Sequence, residues 1–119
     1  MSQSDYMLDI VIIFDGFLLL AISYYYKIKP PKKINEFYGF RTRRTMANQD
    51  IWDTANTRNA KDLVSYSWVL LISGLVTWIF QIPYAIFIHF TVMILGLAVA
   101  IYSTINYLDK HFDQNGNRK

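Results

Sequence analysis

The residues best suited to chemistry in this sequence are concentrated in one polar, basic segment, residues 27–62. Within it, Arg41 follows closely on Gly39. A guanidinium held beside a glycine turn can bind a carboxylate or phosphate through two parallel hydrogen bonds. The same group could instead clamp a buried helix end or pair with Asp50 or Asp53, so the residues alone leave both interpretations open.

Outside the basic segment, two ionisable residues, Asp15 and His89, lie within apolar runs. An ionised carboxylate inside a bilayer costs on the order of a few kcal/mol or more, so Asp15 is expected to face other helices or be protonated. His89 lies within plausible side-chain reach if the first and third runs cross in the same direction. The pair is interpreted either as an interhelical hydrogen bond or as a proton- or substrate-coupled site.

The sequence offers little for enzymatic chemistry. It contains no cysteine, and His89 and His111 are isolated from other candidate ligands. It has no nucleophile–base pairing, no metal-ligand spacing and no glycine-rich phosphate loop. We therefore expect a protein without catalytic activity, cofactor, metal or nucleic-acid partner.

Three apolar runs, at about residues 6–26, 63–81 and 84–108, must position these side chains. Each is near the roughly 20 residues with which a helix crosses about 30 Å of hydrocarbon. In a chain of 119 residues, three such runs leave little room for a water-soluble core. The sequence therefore predicts an all-α integral membrane protein, one domain over residues 1–119, with three transmembrane helices.

The two connections between the runs differ in length. Only Gln81 to Pro83 separates the second run from the third, which predicts a tight hairpin. The Pro30–Pro31 pair ends the first helix, because proline cannot continue a helix. Residues 47–62 are predicted to form an interfacial cytoplasmic helix, with Trp52 at the headgroup level. Residues 109–119 are polar and predicted to form a flexible tail.

The distribution of Lys and Arg predicts how the protein is oriented in the membrane. All 12 Lys and Arg residues lie between the first and second runs or after the third. The positive-inside rule then places the N-terminus outside and the C-terminus in the cytoplasm. The basic segment is expected to contact anionic lipid headgroups. Because no Lys or Arg precedes the first run, that run is expected to remain as an anchor and not to be a cleaved signal peptide.

Five short stretches follow one another in the basic segment: PPKKIN, YGFRT, TMAN, IW and AN. In this order they resemble the SdpI family of bacterial membrane proteins, which is named for an immunity protein against a secreted sporulation-delaying killing peptide. The positions that carry the resemblance are Asn35, Tyr38, Gly39, Arg41, Thr42, Thr45, Asn48, Trp52 and Asn56.

The resemblance implies a multi-pass protein of the bacterial cytoplasmic membrane that gives immunity to a membrane-active peptide by binding or shielding. The nine positions are then expected to bind a ligand, a toxin peptide or lipid headgroups. The named immunity protein has additional spans, so this chain would be a minimal three-span member. Two alternatives remain: a small dimeric proton-coupled transporter or lipid flippase using Asp15 and His89, or a regulatory subunit of a membrane complex.

Overall fold

The computed structural model describes residues 3–119, with side chains described from residue 6 onward. They form three helices: α1, Gln3–Ile28; α2, Gln49–Ile79; and α3, Ala85–His111. Each helix is long and apolar enough to cross a membrane. The predicted all-α class is therefore confirmed, as is the presence of three helices long and apolar enough to span a membrane.

The helices form an elongated bundle of 55 × 23 × 18 Å in which α2 is central. Both α1 and α3 run antiparallel to α2 and pack mainly against it. Small residues allow the close approach. A Cβ atom at Gly16 would lie 3.0 Å from the Leu71 backbone, and one at Gly96 would lie 2.7 Å from the Tyr66 ring. Because α1 and α3 run parallel, residues at the same depth in the bundle become neighbours along the line where these two helices meet, which we call the seam.

The structure differs from the sequence prediction over residues 47–62. A separate interfacial helix is predicted there, whereas the structure has one continuous helix from Gln49 to Ile79. The sequence between Gln49 and Gly74 contains neither proline nor glycine, so nothing interrupts the backbone hydrogen bonds. The first turns of α2 bury Ile51 and Trp52 completely, so they are packed within the protein instead of lying along a membrane surface.

The C-terminal residues also differ from the prediction of a flexible tail. Residues 109–111 complete α3, and Phe112 then pairs with Arg118 in a short antiparallel bridge. The Phe112 side chain is fully buried in a cluster with Ile51, Ala55 and Leu108. A single large apolar residue therefore anchors an otherwise polar tail against the start of α2.

Candidate functional site

The loop between α1 and α2, the first turns of α2 and the C-terminal tail fold together at one end of the bundle. We call this assembly, residues 29–59 and 109–119, the signature cap. Its loop is anchored by Trp52, whose Nε1–H donates to the Pro31 carbonyl at 2.7 Å. The Tyr38 hydroxyl donates to the Lys29 carbonyl at 2.8 Å. Partial burial raises the pKa of Tyr38, which keeps the hydroxyl protonated and able to donate.

Asn56 lies at the centre of the signature cap and is 1% exposed. Its Oδ1 accepts hydrogen bonds from the Phe40 backbone N–H and the Tyr26 hydroxyl, both at 2.6 Å. Its Nδ2 donates to the Trp52 carbonyl at 2.9 Å. One buried amide therefore joins α1, the loop and α2.

Gly39 makes this arrangement possible. Its φ of +116° lies in the region that only glycine adopts freely. An added Cβ would lie 2.6 Å from Asn56 Oδ1 and 2.8 Å from Pro31 Cγ. The glycine is therefore required both by its backbone conformation and by the space around it.

Two threonines fix the turn after Arg41. The Thr42 N–H donates to Thr45 Oγ1 at 2.8 Å, and the Thr45 N–H donates to Thr42 Oγ1 at 3.1 Å. The Thr45 hydroxyl also donates to the Phe40 carbonyl at 2.8 Å. Thr45 is fully buried, so its three-residue spacing from Thr42 has a structural role.

The two remaining asparagines of the signature accept hydrogen bonds from backbone N–H groups. Asn35 Oδ1 accepts from the N–H groups of Phe37 and Tyr38 at 2.9 and 2.7 Å. Asn48 is the N-cap of α2, because its Oδ1 accepts from the Ile51 N–H at 3.0 Å. Its Nδ2 donates to the Gly116 carbonyl at 2.7 Å, which ties the tail to the start of the helix.

The three neighbouring arginines have different environments. Arg44 clamps the end of α3: its guanidinium lies 2.6 Å from Asp109 Oδ1 and donates to the carbonyls of Phe112 and Asp113 at 2.8 and 3.0 Å. Arg41 and Arg43 are exposed, and neither forms a hydrogen bond or ion pair with the residues that the structure describes. Arg44, not Arg41, therefore acts as the helix-end clamp.

The pairing alternatives for Arg41 are not observed either. Asp50 accepts two hydrogen bonds from Arg118, at 2.7 and 2.9 Å. Asp53 accepts from the Gln49 side chain at 2.7 Å. The Arg41 guanidinium therefore neither clamps a helix end nor pairs with Asp50 or Asp53, which were the three structural roles considered from the sequence.

A polar layer at the inner edge of the signature cap, where the cap meets the rest of the bundle, was not predicted from the sequence. Asn59 Nδ2 donates to the Tyr26 hydroxyl at 3.3 Å, and Thr104 Oγ1 lies 3.2 Å from Asn59 Oδ1 and 3.0 Å from Asp62 Oδ2. Arg58 Nε donates to Asp62 Oδ2 at 3.1 Å. The three-residue spacing of Asn56 and Asn59 could have predicted this layer, because it places both amides on one helix face.

The structure brings Asp15 and His89 together at the seam between α1 and α3. His89 Nε2 lies 2.8 Å from Asp15 Oδ2. The His89 side chain is 4% exposed, whereas that of Asp15 is 31% exposed. His89 Nδ1 is buried and has no hydrogen-bond partner among the described residues. The predicted proximity is thus observed, and the geometry is compatible with either a packing contact or a functional site.

Comparison with known proteins places the signature cap in a family. Residues 32–106 match the SdpI/YfhL protein family. The chain is 39% identical over 61 residues to the "Uncharacterized protein YfhL" of Bacillus subtilis (strain 168), covering 51% of this chain and 49% of that protein. The chain thus spans about half the length of this curated relative. No solved structure matches. The family match covers most of the chain and includes every signature position, and the chain is therefore a membrane protein of the SdpI/YfhL family.

Proposed function

We propose that the protein gives a bacterial cell immunity to a membrane-active antibacterial peptide, by binding or shielding and without enzymatic chemistry. Family membership supports this function, since the family is named for such an immunity protein. The observation that carries the proposal is the contrast within the signature: Asn56, Thr45 and Trp52 are buried in the signature cap, while Arg41 projects from it. Arg41 is accordingly the residue assigned to recognition.

The proposal includes an orientation in the bacterial cytoplasmic membrane. The antiparallel helices bring all 12 Lys and Arg residues to the end of the bundle that carries the signature cap. By the positive-inside rule this end faces the cytoplasm and the N-terminus faces outward. The exposed Lys32, Lys33, Arg41 and Arg43 would then contact anionic lipid headgroups, each attracted by about 1 kcal/mol.

A survival assay tests the function. A sensitive bacterium expresses the wild type, Arg41→Ala, Arg43→Ala or an empty vector and is titrated with secreted killing peptides of the sporulation-delaying type. We expect wild type and Arg43→Ala to raise the inhibitory peptide concentration and Arg41→Ala to lose this protection. Arg43→Ala is the matched control, because it removes the same charge from an exposed neighbouring position. Membrane levels of all variants are compared by immunoblot.

Each outcome decides a separate point. Equal protection by Arg41→Ala would keep immunity but remove Arg41 from its mechanism. Equal loss in Arg41→Ala and Arg43→Ala would indicate a general requirement for basic charge. No protection by the wild type at verified membrane expression would reject the immunity proposal.

A second candidate function is supported by the Asp15–His89 pair. Ionisable residues inside membrane spans often mark ion or substrate pathways. On this alternative a dimer would enclose a pathway and act as a small proton-coupled transporter or lipid flippase. Proton uptake into proteoliposomes, followed with an internal pH dye, tests it: uptake lost in Asp15→Asn would favour transport, and wild-type uptake equal to empty liposomes would exclude proton coupling.

A further inference from the structure

The surface between α2 and α3 contains an apolar cavity of about 470 Å³. Its walls extend from Asp62 to Val69 on α2 and from Thr91 to Ser103 on α3. Most of these walls are apolar, and Val99 is 66% exposed although it lies in a membrane-crossing helix. The cavity therefore offers an apolar chain a place against the side of the bundle.

A second, polar cavity of about 490 Å³ lies at the end of this one that is nearer the signature cap. It is lined by the first turns of α2 and by Tyr107 of α3. The two cavities meet at Arg58, which lines the polar cavity and donates to residues that line the apolar one: Asp62 Oδ2 at 3.1 Å and Ser103 Oγ at 2.9 Å. We call the two cavities together the α2–α3 furrow.

The depth of the apolar cavity matches one leaflet of a membrane. Asp62 is the last charged residue of α2, so the hydrocarbon begins near it and the polar cavity lies at headgroup level. From Ser103 to Thr91 the wall on α3 extends about 18 Å, at 1.5 Å per residue. Half of a hydrocarbon core is roughly 15 Å. A partner transmembrane helix would extend through both leaflets, whereas an acyl chain occupies one, so the depth favours a lipid.

The polar cavity offers cations where that lipid would have its phosphate. Lys61 is exposed and forms no ion pair within the part of the chain that the structure describes. The Arg58 side chain is 30% exposed and already pairs with Asp62, but its guanidinium has more N–H groups than that pair and Ser103 use. An ammonium and a guanidinium side by side suit a phosphate.

The same cavity offers a carboxylate further from the hydrocarbon. Asp53 lies two turns closer to the start of α2 than Lys61 and has no ion pair among the described residues. The Lys61 side chain is directed towards Asp53, because Cβ atoms tilt towards the start of a helix and lysines extend away from hydrocarbon. A carboxylate at this distance beyond the cations suits an ammonium group.

We propose that the α2–α3 furrow binds a phospholipid whose headgroup carries a primary ammonium, a phosphatidylethanolamine. The phosphate contacts Lys61 and Arg58, the ammonium donates to Asp53, and one acyl chain occupies the apolar cavity. The order along α2, from apolar wall to cations to carboxylate, is the order of chain, phosphate and ammonium in this lipid. The site is separate from the exposed arginines of the loop and does not depend on the immunity function.

Native mass spectrometry of the wild type released from detergent micelles tests the headgroup. Three dioleoyl lipids are compared: phosphatidylethanolamine, its N-acetyl derivative, which has no ammonium, and phosphatidylcholine, whose ammonium has no N–H. All three have the same chains and a phosphate, so differences in affinity report the nitrogen. We expect phosphatidylethanolamine to bind at least about fivefold more tightly than either of the others.

Two headgroup variants assign the contacts. We expect Asp53→Asn to abolish the preference for phosphatidylethanolamine and Lys61→Gln to weaken the binding of all three lipids. Glu36→Gln and Lys27→Gln are the matched controls, because they remove the same charges from exposed positions outside the furrow, and we expect wild-type binding from both. Helix content and thermal unfolding verify that the variants are folded.

A pair of tryptophan variants tests the position of the chain. Val99→Trp fills the apolar cavity, and we expect it to weaken all three lipids without changing their order of affinity. Ile94→Trp is the matched control: Ile94 is 65% exposed, close to the 66% of Val99, but does not line the cavity. We expect it to bind all three lipids as the wild type does.

Equal affinity of the wild type for the three lipids would overturn the proposal. A preference for phosphatidylethanolamine that survives in Asp53→Asn, or equal losses in Lys61→Gln and Lys27→Gln, would reject the headgroup contacts. The same spectra report the oligomeric state. A wild-type dimer that Val99→Trp converts to a monomer, with unchanged lipid binding, would show that the apolar cavity receives a second copy of the chain and would also overturn the proposal.

Discussion

At Asn56 one side chain satisfies polar groups from three parts of the chain: the Tyr26 hydroxyl, the Phe40 N–H and the Trp52 carbonyl. A buried polar group without a partner costs about 1–3 kcal/mol, so a residue that satisfies several such groups strongly favours one conformation. The signature residues around it are therefore explained by the folding of the cap. Arg41 is the exception, because no contact among the described residues accounts for it.

The arginines give a prediction at the residue scale. We expect Arg44→Ala to lower the free energy of unfolding by about 1–3 kcal/mol, because it leaves Asp109 and the carbonyls at the end of α3 without their donor. Arg43→Ala should change it by less than about 0.5 kcal/mol, as expected of an exposed side chain. Denaturant unfolding in detergent, followed by tryptophan fluorescence, measures both.

Arg44→Lys refines this test. Lysine keeps the charge but has no planar fork of N–H groups, so we expect it to recover only part of the lost stability. Full recovery would mean that charge alone acts here, and a loss in Arg43→Ala as large as that in Arg44→Ala would contradict the clamp.

The sequence could not distinguish these arginines. A glycine before Arg41 indicated a special role for that position. Three of the four acceptors of Arg44 are instead backbone carbonyls some 64–69 residues away in the chain, and the fourth is the Asp109 side chain. Backbone acceptors carry no residue identity, so no spacing rule predicts such contacts. Asp15 and His89 were predictable as neighbours because burial restricts where ionisable side chains can lie in a membrane.

At the scale of elements, α2 connects the two ends of the molecule. Its first turns belong to the signature cap, and Thr77 in its last turns lines a cavity at the opposite end of the bundle. Hydropathy predicted its membrane-crossing half, since that depends on composition alone. The continuity of the helix was missed because its polar first half resembles a surface helix, although Ile51, Trp52 and Ala55 are buried by the loop and tail.

The N-cap of α2 gives a prediction at this scale. We expect Asn48→Ala to destabilise the protein by about 1 kcal/mol or more, because it leaves the Ile51 N–H and the Gly116 carbonyl without their partners. Asn48→Ser should recover the cap but not the bond to the tail. Amide hydrogen exchange at Ile51 and Asn117 separates the two effects.

In Asn48→Ser we expect Ile51 to stay protected while the tail exchanges faster. If Ile51 and Asn117 in Asn48→Ala are as protected from exchange as they are in the wild type, neither bond contributes to stability. Thr54→Ala, a half-buried helix position whose hydroxyl bonds only to its own helix, serves as the control.

At the scale of the whole molecule, charge separates the two ends of the bundle. Because the chain has no cysteine, single introduced cysteines can report which side of the membrane each end occupies. We expect Ile82→Cys, in the α2–α3 connection, to react with a membrane-impermeant maleimide in intact cells. Gln114→Cys, exposed in the tail, should react only after the membrane is permeabilised. The reverse pattern would overturn the proposed orientation.

The docked tail has a consequence for the biosynthesis of the protein. Arg44, Asn48 and Asp50 all bond to residues at or after the end of α3, between Leu108 and Arg118. Residues 108–118 must therefore leave the ribosome before these side chains acquire their partners. The signature cap is thus completed only after all three helices have been synthesised, and a chain truncated before Leu108 would contain every signature residue without these contacts to the tail.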